Sequence, residues 1–145
     1  HTRYIGDWSS DVCSSDLERF PIDKDPAKAK QLYEYMQMQS RNEGFGTITY
    51  IENVHAMPND GRSSAFKFGV NYGIWLGITA GYEVHKVSPQ KWQKHYGELP
   101  KEKKEKKNKL KEIAINLVGE QCKTTLSTSD AILIANYGKE NIIEE

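Results

Sequence analysis

Only two segments of this chain have the make-up of β-strands, and a long apolar stretch separates them. Thr47-Ile48-Thr49-Tyr50-Ile51 is β-branched and aromatic, and continues through Glu52 to about Val54. Val84-His85-Lys86-Val87 alternates and is stopped by Ser88-Pro89. The remaining patterns are helical, so the order reads helix, strand, helix, strand, helix, helix. Alternation of this kind implies an α/β sheet covered by helices. Two strands alone make a poor sheet, so the pattern predicts a sheet that lacks its first strands.

The helices have recognisable signals. Asp25-Pro26 is a start signal, and Ala29, Leu32, Tyr33 and Met36 follow helical spacing until Ser40-Arg41-Asn42. Gly44 and Gly46 mark a turn, and Met57 to Arg62 is a loop by composition. Ser63 or Ser64 is the expected cap of the next helix, which runs to about Gly81. That helix places Gly69, Gly73, Gly77 and Gly81 at a spacing of four, with Phe66, Phe68, Tyr72, Trp75, Leu76 and Ile78 around them. Each interior glycine costs about 0.5–1 kcal/mol relative to alanine. The stripe therefore predicts close approach of another backbone, either a sheet or a symmetry-related helix, and a helix apolar nearly all round predicts burial. Pro89 to Gly97 suits one or two helical turns. Lys101 to Lys111 leads into a helix with Leu110, Ile113, Ile115, Leu117 and Val118 on its apolar side, and Thr124 to Ser129 is a polar turn. Asp130 opens a last helix, expected to end near Tyr137-Gly138 with the glycine as its cap.

Composition narrows the class. The chain has 145 residues, which suits one domain, and 37% hydrophobic residues with 15 aromatics, which supplies a core. Its two cysteines, Cys13 and Cys122, exclude a disulfide scaffold and a paired-cysteine zinc site; Cys122 is read as a buried thiol. No run of about 18 apolar residues exists, so no membrane span is expected. Twenty basic residues balance twenty acids, but the balance is uneven along the chain. Residues 85–112 hold ten lysines and four glutamates, a net of +6, basic enough to meet phosphate.

His1 to Leu17 shows no helical or strand period, repeats Ser-Ser-Asp, and lacks the features of a signal peptide. Asp7 to Leu17, DWSSDVCSSDL, is similar to a translated sequencing-adapter oligonucleotide. Residues 1–17 are therefore expected to be a non-native segment, with residues 18–145 the domain proper; a genuine Ser/Asp-rich tail is the alternative.

Two carboxylates stand out. Glu52 interrupts an apolar strand run just before a loop, where it either faces outward or is a paired or metal-bound acid. Asp130 is either a first-turn acid favoured by the helix dipole or a ligand. A carboxylate at a strand end and another at a helix start suit a hard cation, although two ions about 4 Å apart need at least three such groups. His55, His85 and His95 have no regular metal spacing and read as surface or loop residues, with a position near DNA the alternative for His85 and His95, and neither a P-loop nor a dinucleotide fingerprint is present.

Four blocks together resemble a known family. They are Ile51-Glu52-Asn53-Val54-His55-Ala56-Met57-Pro58; Ser64-Ala65-Phe66-Lys67-Phe68-Gly69 with Tyr72-Gly73; Val87-Ser88-Pro89-Gln90-Lys91-Trp92; and Ser129-Asp130-Ala131-Ile132-Leu133-Ile134-Ala135 with Tyr137-Gly138. In this order and spacing, over about residues 20–140, they resemble the RuvC-like Holliday junction resolvases, in the short form common in phages.

The resemblance implies an RNase H-like fold, a mixed five-stranded sheet flanked by helices, here without its first strands. It implies a homodimer that cuts four-way DNA junctions with Mg²⁺ or Mn²⁺, in the cytoplasm of a bacterial or phage-infected cell. It makes Glu52 and Asp130 catalytic metal ligands. It makes the segment with His55, Met57, Asn59 and Arg62 the junction loop, and the glycine-striped helix the dimer helix. Lys67, Lys86, Lys91, Lys94, Lys101, Lys103 and Lys104 become contacts to DNA phosphate.

Two departures matter. The family's first-strand acid has no counterpart, and Leu126 and Ser127 stand where a further acid or histidine is usual. The chain as it stands is therefore expected to be inactive or nearly so. Two other readings stay open: a catalytically silent DNA-binding module, and an α/β protein whose lysines merely solvate a helix.

Overall fold

The two strand segments pair side by side and in parallel. In the computed structural model, residues 27–42, 48–55, 57–120, 124–126 and 128–144 are described. The start signal at Asp25-Pro26, the turn at Gly44 and Gly46, Cys13, Cys122, Ser127 and the whole of residues 1–17 lie outside the described residues. The order is α1 (Lys28–Asn42), β1 (Ile48–Glu52), α2 (Arg62–Thr79), β2 (Glu83–Val87), α3 (Pro89–Lys94), α4 (Lys103–Val118) and α5 (Ser129–Glu144). The class is α/β. Among the described residues the sheet has two strands, in register from Ile48 opposite Glu83 to Glu52 opposite Val87.

Strand alternation divides the side chains into two layers, as expected for a parallel sheet covered on both faces. Ile51 is buried against Leu32 and Met36 of α1 and Trp75 of α2, with Val84 beside them. Tyr50 and Val87 lie on the other face, with Trp92 of α3, Leu110, Ala114 and Val118 of α4, and Ile132, Leu133 and Tyr137 of α5. Buried residues recur four apart on α2 (Asn71, Trp75, Thr79) and on α4 (Leu110, Ala114, Val118), the period of a single helical face. No described helix is long and apolar enough to cross a membrane.

The caps differ in part from expectation. Ser88 caps α3 as its Oγ accepts the Lys91 N–H at 3.3 Å, with Pro89 in the first turn. Glu102 caps α4, accepting from the N–H groups of Lys104 (3.0 Å) and Glu105 (2.8 Å), and these bonds hold its carboxyl below the usual glutamate range. Neither Ser63 nor Ser64 caps α2. The cap position is Gly61, without a side-chain bond, so α2 begins at Arg62 and includes it.

The structure reverses one reading of the glycines and narrows the other, since among the described residues no sheet of this chain lies on the α2 stripe. The apolar α2 is buried on one face only: Phe66 is 74% exposed, Val70 46%, and a Cβ at Gly69, Gly73, Gly77 or Gly81 would meet nothing within 4 Å. Periodicity reveals that a face is apolar, not that this chain covers it. The helix enclosed on most sides is α5, packed against β1, α3 and α4. Gly138 does not cap it, since the helix continues to Glu144 and Gly138 lies beneath the Tyr50 ring.

With space for a methyl group and helical backbone, Gly69→Ala is expected to stabilise the monomer by about 0.5–1 kcal/mol. Urea unfolding of the isolated chain measures it, and a loss of stability at low protein concentration would contradict the open face.

Candidate functional site

Glu52 is the last residue of β1, and the carboxyl ends of parallel strands are where open α/β sheets generally bind ligands. The Asn53 N–H donates to Val87 O at 2.8 Å, extending the pairing one step past β1 and holding the two strand ends together. From there the chain enters the loop to α2 on one side and, through Ser88, α3 on the other. The alternation of β1 puts Glu52 on the same face as Tyr50, the face covered by α3 and α5. Its carboxylate is half-buried, and Oε1 accepts the indole N–H of Trp92 at 3.3 Å.

Asp130 sits in the first turn of α5, half-buried, next to the fully buried Ile132 and Leu133. Since α5 packs on β1, Glu52 and Asp130 belong to the same layer of the domain. Among the described residues, however, no three His, Cys, Asp or Glu side chains come together as a metal cluster. The donor set seen here therefore does not fit the two closely spaced ions of metal-assisted phosphodiester hydrolysis, which need bridging carboxylates.

The loop is built by Asp60. Its Oδ2 accepts the Met57 N–H at 2.8 Å and its own N–H donates to Met57 O at 2.9 Å, closing a tight turn. The turn leaves Met57 59% exposed, and His55 and Asn59 are exposed too. Arg62, expected in the loop, is the first residue of α2 and is also exposed.

All seven lysines expected to meet phosphate are exposed, but they fall into two sets. Lys91 and Lys94 are on α3, Lys101 follows it, and Lys103 and Lys104 begin α4, so these five lie along one continuous stretch on the layer that covers Glu52. Lys67 is on α2, and Lys86, opposite Ile51, alternates toward the α1–α2 face. Tertiary structure thus separates those two from the rest.

A polar network joining the end of α3 to α5 has no local signature in the chain. Tyr96 Oη donates to Leu133 O at 2.5 Å, and Asn136 Nδ2 donates to Tyr96 Oη and to Glu140 Oε1, both at 3.2 Å. His95, read as a plain surface or loop residue, pairs with Glu140 and meets the rings of Tyr96 and Tyr137 edge-on. His85 stacks on Tyr50 with ring centroids 5.1 Å apart. No local pattern reveals such pairs, because their partners are distant in the chain or face each other across a register that pairing alone defines.

Burial pushes the Tyr96 phenol up to about 12, against a lowering hydrogen bond from Asn136 and with the nearby Glu140 charge adding to the rise. An unfolded tyrosine ionises near 10. Keeping Tyr96 neutral thus adds stability that is fully present below about pH 10 and is lost as pH rises through about 12. Denaturation over this range should show a smaller alkaline loss for Tyr96→Phe than for wild type; equal losses would rule Tyr96 out as the source.

The chain matches no protein-family model and no curated protein.

Proposed function

We propose that this chain is a RuvC-like, RNase H-type module that binds branched DNA. In this reading it belongs to a class of metal-dependent, structure-selective endonucleases that resolve four-way junctions. The observation that carries the reading is the layout at the carboxyl edge of the sheet: Glu52 at the strand end, a turn-locked loop exposing Met57, and five exposed lysines along α3 and the start of α4. Phosphates would be met by those lysines and the loop would approach the branch point. Phosphate contacts position a protein on DNA without reading sequence, which suits recognition of a shape.

The chain would hold DNA without cutting it, since Glu52 and Asp130 alone cannot hold two ions. The second reading is that the longer parent is catalytically silent as well, favoured by Leu126 and Ser127 standing where a further acid or histidine is usual. The exposed apolar face of α2, with Phe66, Val70 and the glycine stripe, is where a second copy would pack in a homodimer.

The test is binding of a synthetic four-way junction and of linear duplex across a salt series. Junction affinity is expected to exceed duplex affinity and to fall steeply with salt, and Lys91→Ala with Lys94→Ala should lower the log–log slope by about 1.8. Salt-independent binding, or none, would leave only lysines that solvate a helix. To separate the two readings, a longer form carrying an acidic first strand should cut the junction in Mg²⁺, and its Glu52→Gln form should not. Failure of that longer form to cut selects the silent module.

A further inference from the structure

We propose that Trp92 is a positioning residue for Glu52, and that it couples the basic helix α3 to the strand-end carboxylate. The DNA part of this inference rests on the nucleic-acid reading above; the Trp92–Glu52 bond does not.

Trp92 is completely buried, and a buried indole N–H needs an acceptor. The acceptor is a carboxylate forty residues away in sequence, Glu52 Oε1, and charged acceptors make the stronger bonds of this kind. The bond crosses from α3 to the end of β1 at the edge where ligands of such sheets bind.

The mounting of Trp92 makes it a lever. Helix α3 is six residues long, capped by Ser88 at its start, with Tyr96 tied to Leu133 O just past its end. A helix this short, tied to α5 just past its end, moves as a unit. Its inner side presents Trp92 to Glu52, and its outer side presents Lys91 and Lys94 to solvent. Phosphate engaged by those lysines pulls on the same helix that orients the carboxylate. Packing alone would fill this position with any large apolar ring; the N–H is what distinguishes tryptophan here.

The test is the indole N–H spectrum of the full chain labelled with ¹⁵N-tryptophan. The chain has three tryptophans, Trp8, Trp75 and Trp92. Trp92→Phe assigns the resonance, and if that variant does not fold, Trp75→Phe and Trp8→Phe assign it by elimination. Glu52→Ala is expected to move the Trp92 resonance and leave Trp75, on the opposite face of the sheet, in place. A saturating four-way junction is expected to move Trp92 in the wild type but not in the Lys91→Ala, Lys94→Ala double variant held at saturation. An unmoved Trp92 resonance in Glu52→Ala overturns the positioning role, whatever happens with DNA. Junction binding, seen by fluorescence anisotropy, that leaves Trp92 unmoved overturns the coupling while the DNA reading stands. No junction binding at all overturns the DNA reading and the coupling together, and the Glu52→Ala spectrum then decides the bond alone.

Discussion

Replacing Gly138 with alanine is expected to destabilise the domain by about 1–3 kcal/mol, although alanine is the better helix former. A Cβ built at Gly138 would penetrate the Tyr50 ring, overlapping three of its carbons. The ring has little freedom to withdraw, because it stacks on His85 from the neighbouring strand. Overpacking in a close-packed interior forces side chains off their rotamers or shifts backbone, and here the shift would separate α5 from β1. Urea unfolding followed by far-UV circular dichroism measures the loss. Trimming Tyr50 to alanine should recover much of it, so that the two substitutions are strongly non-additive. An unchanged midpoint in Gly138→Ala would mean that α5 does not lie on Tyr50. The opposite sign expected for Gly69→Ala makes the pair informative: both are helical glycines, and only their neighbours differ.

Trp75→Ala is expected to cost about 3–5 kcal/mol. Trp75 is 1% exposed and packs with Leu32, Met36 and Ile51, so it joins α1, α2 and β1 in a single cluster. Removing the indole leaves a cavity that three elements would have to collapse into. Since small domains hold about 5–15 kcal/mol in total, the variant should be largely unfolded at modest urea concentration. Phe66→Ala on the same helix, at a site 74% exposed, should stay within about 0.5 kcal/mol of wild type. Equal effects at the two positions would mean that α2 does not present its Trp75 face to the sheet.

Much of the local structure was legible in the chain. The run Ile48–Glu52, the alternation of Val84–Val87 and the Ser88-Pro89 start of α3 each carry a signal within one or two turns. On α4 the apolar side was legible only in part: Leu110 and Val118 are buried with Ala114, while Leu117 is 44% exposed. Glu52 and Asp130 were singled out because a carboxylate in apolar sequence is costly unless something holds it. What holds Glu52 was not legible. Trp92 is forty residues away, and nothing near either residue marks the other. The same is true of Tyr96 with Asn136 and of His95 with Glu140.

The glycines show the division most clearly. Their positions, four apart in α2 and a single one late in α5, are written in the chain, along with the helical periods that carry them. Local rules read the stripe as a close contact with a sheet or with a second copy, and Gly138 as a helix end; among the described residues the tertiary structure lays no sheet on the stripe, and it reverses the reading of Gly138. Which segments become helix or strand, and which faces are apolar, is written locally, because propensity and periodicity act over a few residues. Which apolar face is covered, which glycine lies against a ring, and which donor meets Glu52 are set by the packing of the folded chain. Those outcomes depend on packing between elements that are remote in the chain, and no local free energy encodes them.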